Sequence, residues 1–253
     1  MISWWLYPLL FLTGAAAGFV DSIAGGGGLI TLPVLLNAGL SPQLALGTNK
    51  LQATFGSGSA AWHYSRAGLI AWRECFEGIA FTFVGAYVGS KIVIHLDPSF
   101  LKVIIPWLLL AIALYSLLQP KLGETDLHPR INRGLFYAVF GLSIGFYDGF
   151  FGPGTGSFWA MAFMLGLGFN LTRATAHTKV MNVTSNAASL LVFLWSGQMH
   201  YGAGLVMGAG QLLGARLGSR VVIRRGVKFI RPVFITMALI MTVKLLWENF
   251  RRP

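Results

Sequence analysis

The chain carries one pattern twice, and that duplication constrains its fold more than any other feature. The first copy opens Gly14-Ala-Ala-Ala-Gly18-Phe19-Val-Asp21 and runs into Gly25 to Gly28. The second opens Gly141-Leu-Ser-Ile-Gly145-Phe146-Tyr-Asp148 and runs into Gly152-Pro153-Gly154-Thr155-Gly156. Further on, Thr48-Asn49-Lys50 aligns with His177-Thr178-Lys179, Gly68 with Gly197, and Gly85-Ala86 and Gly89-Ser90-Lys91 with Gly214-Ala215 and Gly218-Ser219-Arg220. The offset is 127 residues as far as Gly154 and 129 from Gly168 onward, an insertion of two residues. Glycine-rich sequence matches itself by chance, but paired Phe, Asp, Lys and Ser positions do not follow from glycine content. Repeats of this length inside a hydrophobic chain are what transporters are built from, with the substrate site where the copies meet.

Hydrophobic residues make up 55% of the chain and charged residues 11%, against roughly 25% charged in a soluble domain. Apolar runs recur at Leu6 to Val20, Ile79 to Val88, Val103 to Leu118, Leu135 to Ile144, Leu190 to Trp195 and Val233 to Leu246. Extended by small residues, they approach the ~20 residues that cross a hydrocarbon core. The chain reads as an integral membrane protein. No basic region precedes the first apolar run, so that run is expected to be a span and not a cleaved signal. The net charge of +11 would suit nucleic acid, but the basic residues stand in short loops beside apolar spans, where they orient a membrane protein. No nucleic-acid partner is expected. The single Cys75 excludes an intramolecular disulfide.

Spans are predicted at 4–24, 43–64, 70–94 and 100–119 in the first copy, with a short apolar segment at 29–40. The second copy repeats the plan at 133–150, 153–169, 172–195, 202–223 and 230–250. The polar stretch 120–132, with Lys121, Glu124, Asp126, His128 and Arg130, is the connector between a first repeat at 1–119 and a second at 133–253. If the short segments cross, each half has an odd number of crossings and the halves have opposite orientation. Arg66, Arg73, the connector with Arg133, Arg173, and the group Arg216, Arg220, Arg224, Arg225, Lys228 and Arg231 then share one side, leaving mainly Lys91, Lys102, Arg251 and Arg252 on the other. The heavier side is cytoplasmic by the Lys/Arg bias, which puts both termini outside. If the short segments turn back instead, the halves are parallel. The favoured fold class is an all-α polytopic membrane protein of two inverted-topology repeats, each of about five helical segments, with broken or short helices near the midplane. Trp4, Trp5, Tyr64, Trp72, Trp107, Tyr115, Trp195, Tyr201 and Trp247 are expected to be interfacial anchors at span edges.

Two glycine runs interrupt apolar sequence at matching places. Glycine weakens a helix by about 1 kcal/mol per residue, and Pro153 removes a backbone donor. Non-helical backbone at membrane depth survives only when buried in protein or lining a watery cavity. Each break should be followed by a new helix start near Gly27 and Gly28, or Gly154 and Thr155, where free N–H groups suit an anion. Gly14/Gly18 and Gly85/Gly89 read as sites of close helix packing. Lys50 and Lys179 hold equivalent positions in otherwise apolar or small-residue spans. A lysine at the centre of a span costs roughly 2.5–3.5 kcal/mol, so either each faces an anionic substrate or each snorkels to the interface. Thr48, Asn49 and Gln52 beside one, and His177, Thr178 and Asn182 beside the other, extend to Ser57 and Asn186 as polar stripes. Asp21 and Asp148 are repeat partners that could pair with a lysine, cap the break or carry a proton. Histidine as a residue type titrates near neutrality, which makes His177 a third candidate for coupling. His63, His95, His128 and His200 read as interfacial or solvated. No metal-ligand spacing and no nucleophile elbow occurs, so neither an enzyme, a metal nor a cofactor is expected.

The doubled G-x-x-x-G-F-x-D pattern, each followed by a glycine cluster, an apolar run and then Thr48-Asn49-Lys50 or His177-Thr178-Lys179, resembles the TauE/SafE family of sulfite exporters and toluene sulfonate uptake permeases. The resemblance covers essentially the whole chain. It implies a bacterial or archaeal inner-membrane carrier of sulfur-containing anions such as sulfite, thiosulfate, sulfonates or sulfoacetate, driven by the proton gradient. It transfers to the two glycine clusters, to Asn49-Lys50 and to Thr178-Lys179; His177-Thr178 in place of Thr48-Asn49, and Pro153, depart from the first copy. The expected partners are a small anionic substrate and the lipid bilayer, with a homo-oligomer allowed. A passive anion channel and a non-transporting membrane scaffold are the alternatives.

Overall fold

A helix that must stop within apolar sequence needs a residue that tolerates positive φ, and the two copies place glycine there in step. The structure, a computed structural model, describes residues 2–101, 103–105, 107–108 and 125–226. Most of the 100–119 span and all of 230–250 lie outside the described residues, as do Lys102, Tyr115, Lys121, Glu124, Lys228, Arg231, Trp247, Arg251 and Arg252.

In the first copy, α1 (Tyr7–Ala24) carries a proline in its first turn and ends at Gly25 with φ +75°. It is followed by α2 (Gly27–Asn37), α3 (Pro42–Arg66) and α4 (Phe76–Val93). In the second, α5 comprises Arg133–Phe136, a π-helical turn at Tyr137–Gly141 and Leu142–Phe150. Then come α6 (Thr155–Leu167), α7 (Leu171–Ser196) and α8 (Tyr201–Arg225). Side chains of Asn132, Asn170 and His200 accept the free backbone N–H groups that open α5, α7 and α8. No strand occurs among the described residues. The first four helices therefore recur in order as the second four.

The copies exchange helices. α1 packs on α8 of the other copy, and α4 on α5. The contacts are backbone to backbone because glycine lines them: a methyl group at Gly14 or Gly18 would lie 2.2 or 2.4 Å from the carbonyl oxygens of Met207 and Gln211. On the partner surface, Gly210 meets Phe11 and Ala15, and Gly214 meets Ala15 and Phe19. Gly85, Gly89, Gly145 and Gly149 build the equivalent seam between α4 and α5. Small residues are what permits such approach. Gly149→Ala and Gly214→Ala, whose methyl groups would fall 2.0 and 1.9 Å from backbone oxygens of Ala86 and Ala15, should each cost about 1–3 kcal/mol or more by overpacking. Gly58→Ala meets only a Val183 methyl at 3.7 Å and should be tolerated; thermal unfolding in detergent separates the two classes.

Contact register gives helix direction. Along α1 and α8, and along α3 and α8 (Leu51 on Gly204, Phe55 on Gly208), residue numbers rise together, so these three helices run the same way. Between α3 and α7 they run oppositely: Gly47 meets Phe193 and Gln198, while Gly58 meets Val183. Since α1 and α3 are parallel, α2 carries the chain back between them. The repeat-equivalent helices α3 and α7 are antiparallel.

Polarity is distributed inside out. Lys50, Lys179, His177, Asp148 and several amides are buried, whereas Trp4, Val84, Val88, Trp195, Leu213 and Leu217 face outward. An apolar exterior of this extent calls for an apolar surrounding. Among the described residues, Trp4–Ala24 and Phe76–Val93 are long and apolar enough to cross a membrane. Of the expected anchors, Trp4, Trp5, Trp72, Trp107, Trp195 and Tyr201 are exposed, but Tyr64 is not: it is fully buried and its hydroxyl donates to the Ser22 carbonyl at 2.7 Å. It ties the end of α3 to the end of α1. The described part of the connector is docked as well, with Leu127, Arg130 and Ile131 donating backbone N–H groups to Gly166 and Gly168. Nearby Arg173 reaches Glu74 at 2.8 Å and Asp126 at 3.5 Å, and Arg133 reaches Glu74 at 3.2 Å.

Candidate substrate site

Both helix breaks come to one place. α1 stops at Gly25, and the Gly152 that follows α5 has φ +100°, a conformation that side chains other than glycine's resist. Gly25 lies directly on Gly156, where an added methyl group would come within 2.5 Å of the Gly156 Cα, and Gly28 lies against Pro153. Between them is a cavity of about 30 Å³. Its walls are contributed in equivalent pairs, Asp21 with Asp148, Gly25 with Gly152, Gly27 with Gly154 and Gly28 with Thr155, and are completed by Asn49, Ala53, Gly156, Asn182, Asn186 and Gln211. α2 and α6 both begin at this cavity.

The two lysines meet the two aspartates crosswise. Lys50 Nζ lies 2.6 Å from Asp148 Oδ1 and also donates to the Asp148 carbonyl. Lys179 Nζ lies 3.2 Å from Asp21 Oδ2 and likewise donates to the Asp21 carbonyl. Both lysine side chains are 1% exposed, Asp148 is 5% exposed and Asp21 19%. Snorkelling is therefore overturned: each ammonium is held inside by a carboxylate of the other copy. Ser185 donates to the second oxygen of Asp148, and the Gly27 N–H, at the start of α2, lies 3.3 Å from Asp21 Oδ1. The lysines stand behind the aspartates and are not among the residues lining the central cavity. Lys179 and Thr178 instead line a smaller adjoining cavity with Gly25 and Gly156.

The remaining polar residues divide into cavity walls and braces. Asn49 Oδ1 accepts from Thr31 Oγ1 at 2.5 Å and from Gln52 Nε2 at 2.7 Å, which fixes α2 to α3. Gln52 itself does not line the cavity. Asn182 Oδ1, Gln211 Oε1 and Thr178 Oγ1 are buried without a partner among the described residues, and a buried polar atom left so is costly unless something else occupies the site. Thr48 and His177 turn out to be one device used twice. Thr48 Oγ1 donates to the Leu44 carbonyl and accepts the His200 N–H, while His177 contacts the Arg173 carbonyl through Nδ1 and accepts the Ala71 N–H at 3.4 Å through Nε2. Both brace the turn leading into the next helix of the other copy. His177 is packed between Phe163 and Phe169, with centroids at 5.9 and 4.9 Å, and lies away from the central cavity. Ser185 falls on the polar face of α7 that also carries Thr178 and Asn182, whereas nothing in the sequence singled out Gln211 and Thr31; a lone glutamine inside the glycine-rich α8 was the one available signal.

Two glycine-seamed helical copies, with the equivalent helices α3 and α7 antiparallel, meet through broken helices at a buried polar cavity, the build of repeat-based helical membrane transporters. A family model described as sulfite exporter TauE/SafE matches residues 10–245. The chain belongs to the TauE/SafE family. It is 47% identical over 249 residues to the probable membrane transporter protein YfcA of Escherichia coli K12, covering 98% of this chain and 93% of that protein. A probable membrane transporter protein of Haemophilus influenzae is 45% identical over 244 residues, with 96% of each chain covered. The Bacillus subtilis probable membrane transporter protein YunE is 25% identical over 272 residues, covering 96% of this chain and 98% of that one. No solved structure matches this chain.

Proposed function

We propose that the chain is a secondary transporter that carries a small sulfur-containing anion, such as sulfite, thiosulfate, a sulfonate or sulfoacetate, across the inner membrane of a bacterium or archaeon. The observation that carries this reading is the meeting of two broken helices at one buried polar cavity lined alike by both copies. α2 and α6 start there, and helix starts offer free N–H groups and about half a positive charge to an oxyanion. The amides of Asn49, Asn182, Asn186 and Gln211 add groups that can donate or accept. The family description supports sulfur as the central atom of the substrate. A volume of about 30 Å³ holds about one water, so the anion enters when the halves rock apart, as in alternating access.

The antiparallel register of α3 and α7 supports an inverted-topology arrangement in which both short segments count as crossings. We place the connector and the arginine-rich end of α8 in the cytoplasm by their charge. Charge balance then supports proton coupling. Two lysines face two aspartates, and an arriving anion adds a negative charge in a poorly solvated site. A proton on Asp21 or Asp148 restores balance and leaves the charge of the ammonium behind it to offset that of the anion, so proton and anion bind together. The aspartates line the cavity and His177 does not, which favours them as carriers.

Reconstitution in proteoliposomes tests this. Sulfite, thiosulfate or a sulfonate should accumulate against its gradient when a pH gradient is imposed, and a protonophore should abolish accumulation. Asp148→Asn and Asp21→Asn should each reduce gradient-driven accumulation roughly tenfold or more, the equivalent of losing one charged contact. His177→Gln should keep its pH dependence. Flux that never exceeds equilibrium and ignores pH would favour a passive channel, and absence of flux for every anion would favour a scaffold.

A further inference from the structure

Each buried lysine occupies a place that is chemically a cation site. Lys50 Nζ binds the Asp148 carbonyl and carboxylate together, and Lys179 Nζ does the same at Asp21. Those carbonyls belong to the last turns of α5 and α1, the ends where helix dipoles are negative; the Asp21 carbonyl accepts the Gly25 N–H at 2.9 Å as well. Gly152 makes room for the ammonium: a methyl group there would lie 2.8 Å from Lys50 Nζ. A carbonyl at the end of a broken helix beside a carboxylate is the oxygen set that holds a hard cation, and transporters use such helix ends for coupling ions. An ordinary ion pair needs neither the backbone oxygen nor the helix end, and here both recur in both copies.

We propose that Lys50 and Lys179 are tethered cations filling two alkali-ion-type sites, so that the intact protein needs no sodium or potassium, and that cutting back either lysine opens a site for one. This concerns the ions of the site already described, but it does not depend on which anion is carried, because its readouts are cation binding and unfolding temperature.

The test uses the full chain purified in detergent as wild type, Lys50→Ala and Lys179→Ala, kept in N-methylglucamine chloride and titrated with NaCl or KCl at constant ionic strength. At least one alanine variant should gain several degrees of unfolding temperature, saturably and in the millimolar range, and should bind ²²Na⁺; wild type should do neither. Adding Asp148→Asn to Lys50→Ala removes the charged ligand and should weaken the sodium response roughly tenfold or more. Equal responses in wild type and variants would mean a general salt effect and overturn the proposal. So would the absence of response in both alanine variants, or failure of both to fold even in abundant sodium, since sodium is proposed to replace the missing ammonium.

Discussion

Lys50→Met is expected to lower stability by about 3–5 kcal/mol in sodium-free buffer, because it strands the Asp148 carboxylate in a dry interior. The pair is short, 2.6 Å, and both side chains are almost completely buried. Asp148 keeps its Ser185 contact, which does not offset a buried negative charge. Adding Asp148→Asn removes that charge and should restore more than half of the loss, giving a favourable coupling of about 1–3 kcal/mol in a double-mutant cycle. Lys179→Met should cost less, since its pair is longer at 3.2 Å and Asp21 is 19% exposed, which leaves room for solvation. Thermal unfolding in detergent reads all of these. Losses under 1 kcal/mol in Lys50→Met, or a double variant no better than the single, would show that the pair is not what holds the two copies together.

The four consecutive glycines at the first break should divide sharply under alanine substitution. Gly25→Ala forces a side chain into positive φ and drives its methyl group to 2.5 Å from the Gly156 backbone; strain and overpacking together come to roughly 2–5 kcal/mol. Gly156→Ala meets the same obstacle from the other side, 2.4 Å from the Gly25 Cα. Gly27→Ala collides with Asp21 at 2.8 Å and disturbs the carboxylate itself. Gly26 is different: φ is −109°, and nothing lies nearer than 3.9 Å to an added methyl group. Gly26→Ala should fold and transport like wild type. Unfolding temperature and flux measured together decide it, and a uniform response across Gly25, Gly26, Gly27 and Gly156 would mean that the contact between the two breaks does not exist in the working protein.

Much of the helical plan was legible because it rests on local chemistry. Glycines at matching places mark where α1 and α5 stop, and the Gly14/Gly18 and Gly85/Gly89 spacings mark helix faces that meet a backbone. The π-helical turn at Tyr137–Gly141 left no such mark. Candidate residues at the site were legible as types: a charge or amide inside a span is expensive, so Lys50, Lys179, Asp21, Asp148, Asn49 and Asn182 stood out against their neighbours. Their partners were not. Pairing Lys50 with Asp148 across 98 positions depends on how one copy docks on the other, and no periodicity encodes that distance.

The same limit explains His177, Thr48 and Tyr64. Sequence marks each as polar or amphipathic near a motif or span end, and from type alone a binding, coupling or anchoring role follows as readily as a bracing one. Exchange of helices between copies puts the Ala71 and His200 N–H groups on His177 and Thr48, and packing of α3 on α1 within the first copy puts the Ser22 carbonyl on Tyr64. The sequence by itself determined the duplication, the helix stops and which buried groups demand a partner, because these follow from backbone sterics and the cost of burying charge. Only the tertiary structure decided which partner each received, and that the aspartates stand between the lysines and the cavity, because these depend on distances between segments far apart along the chain.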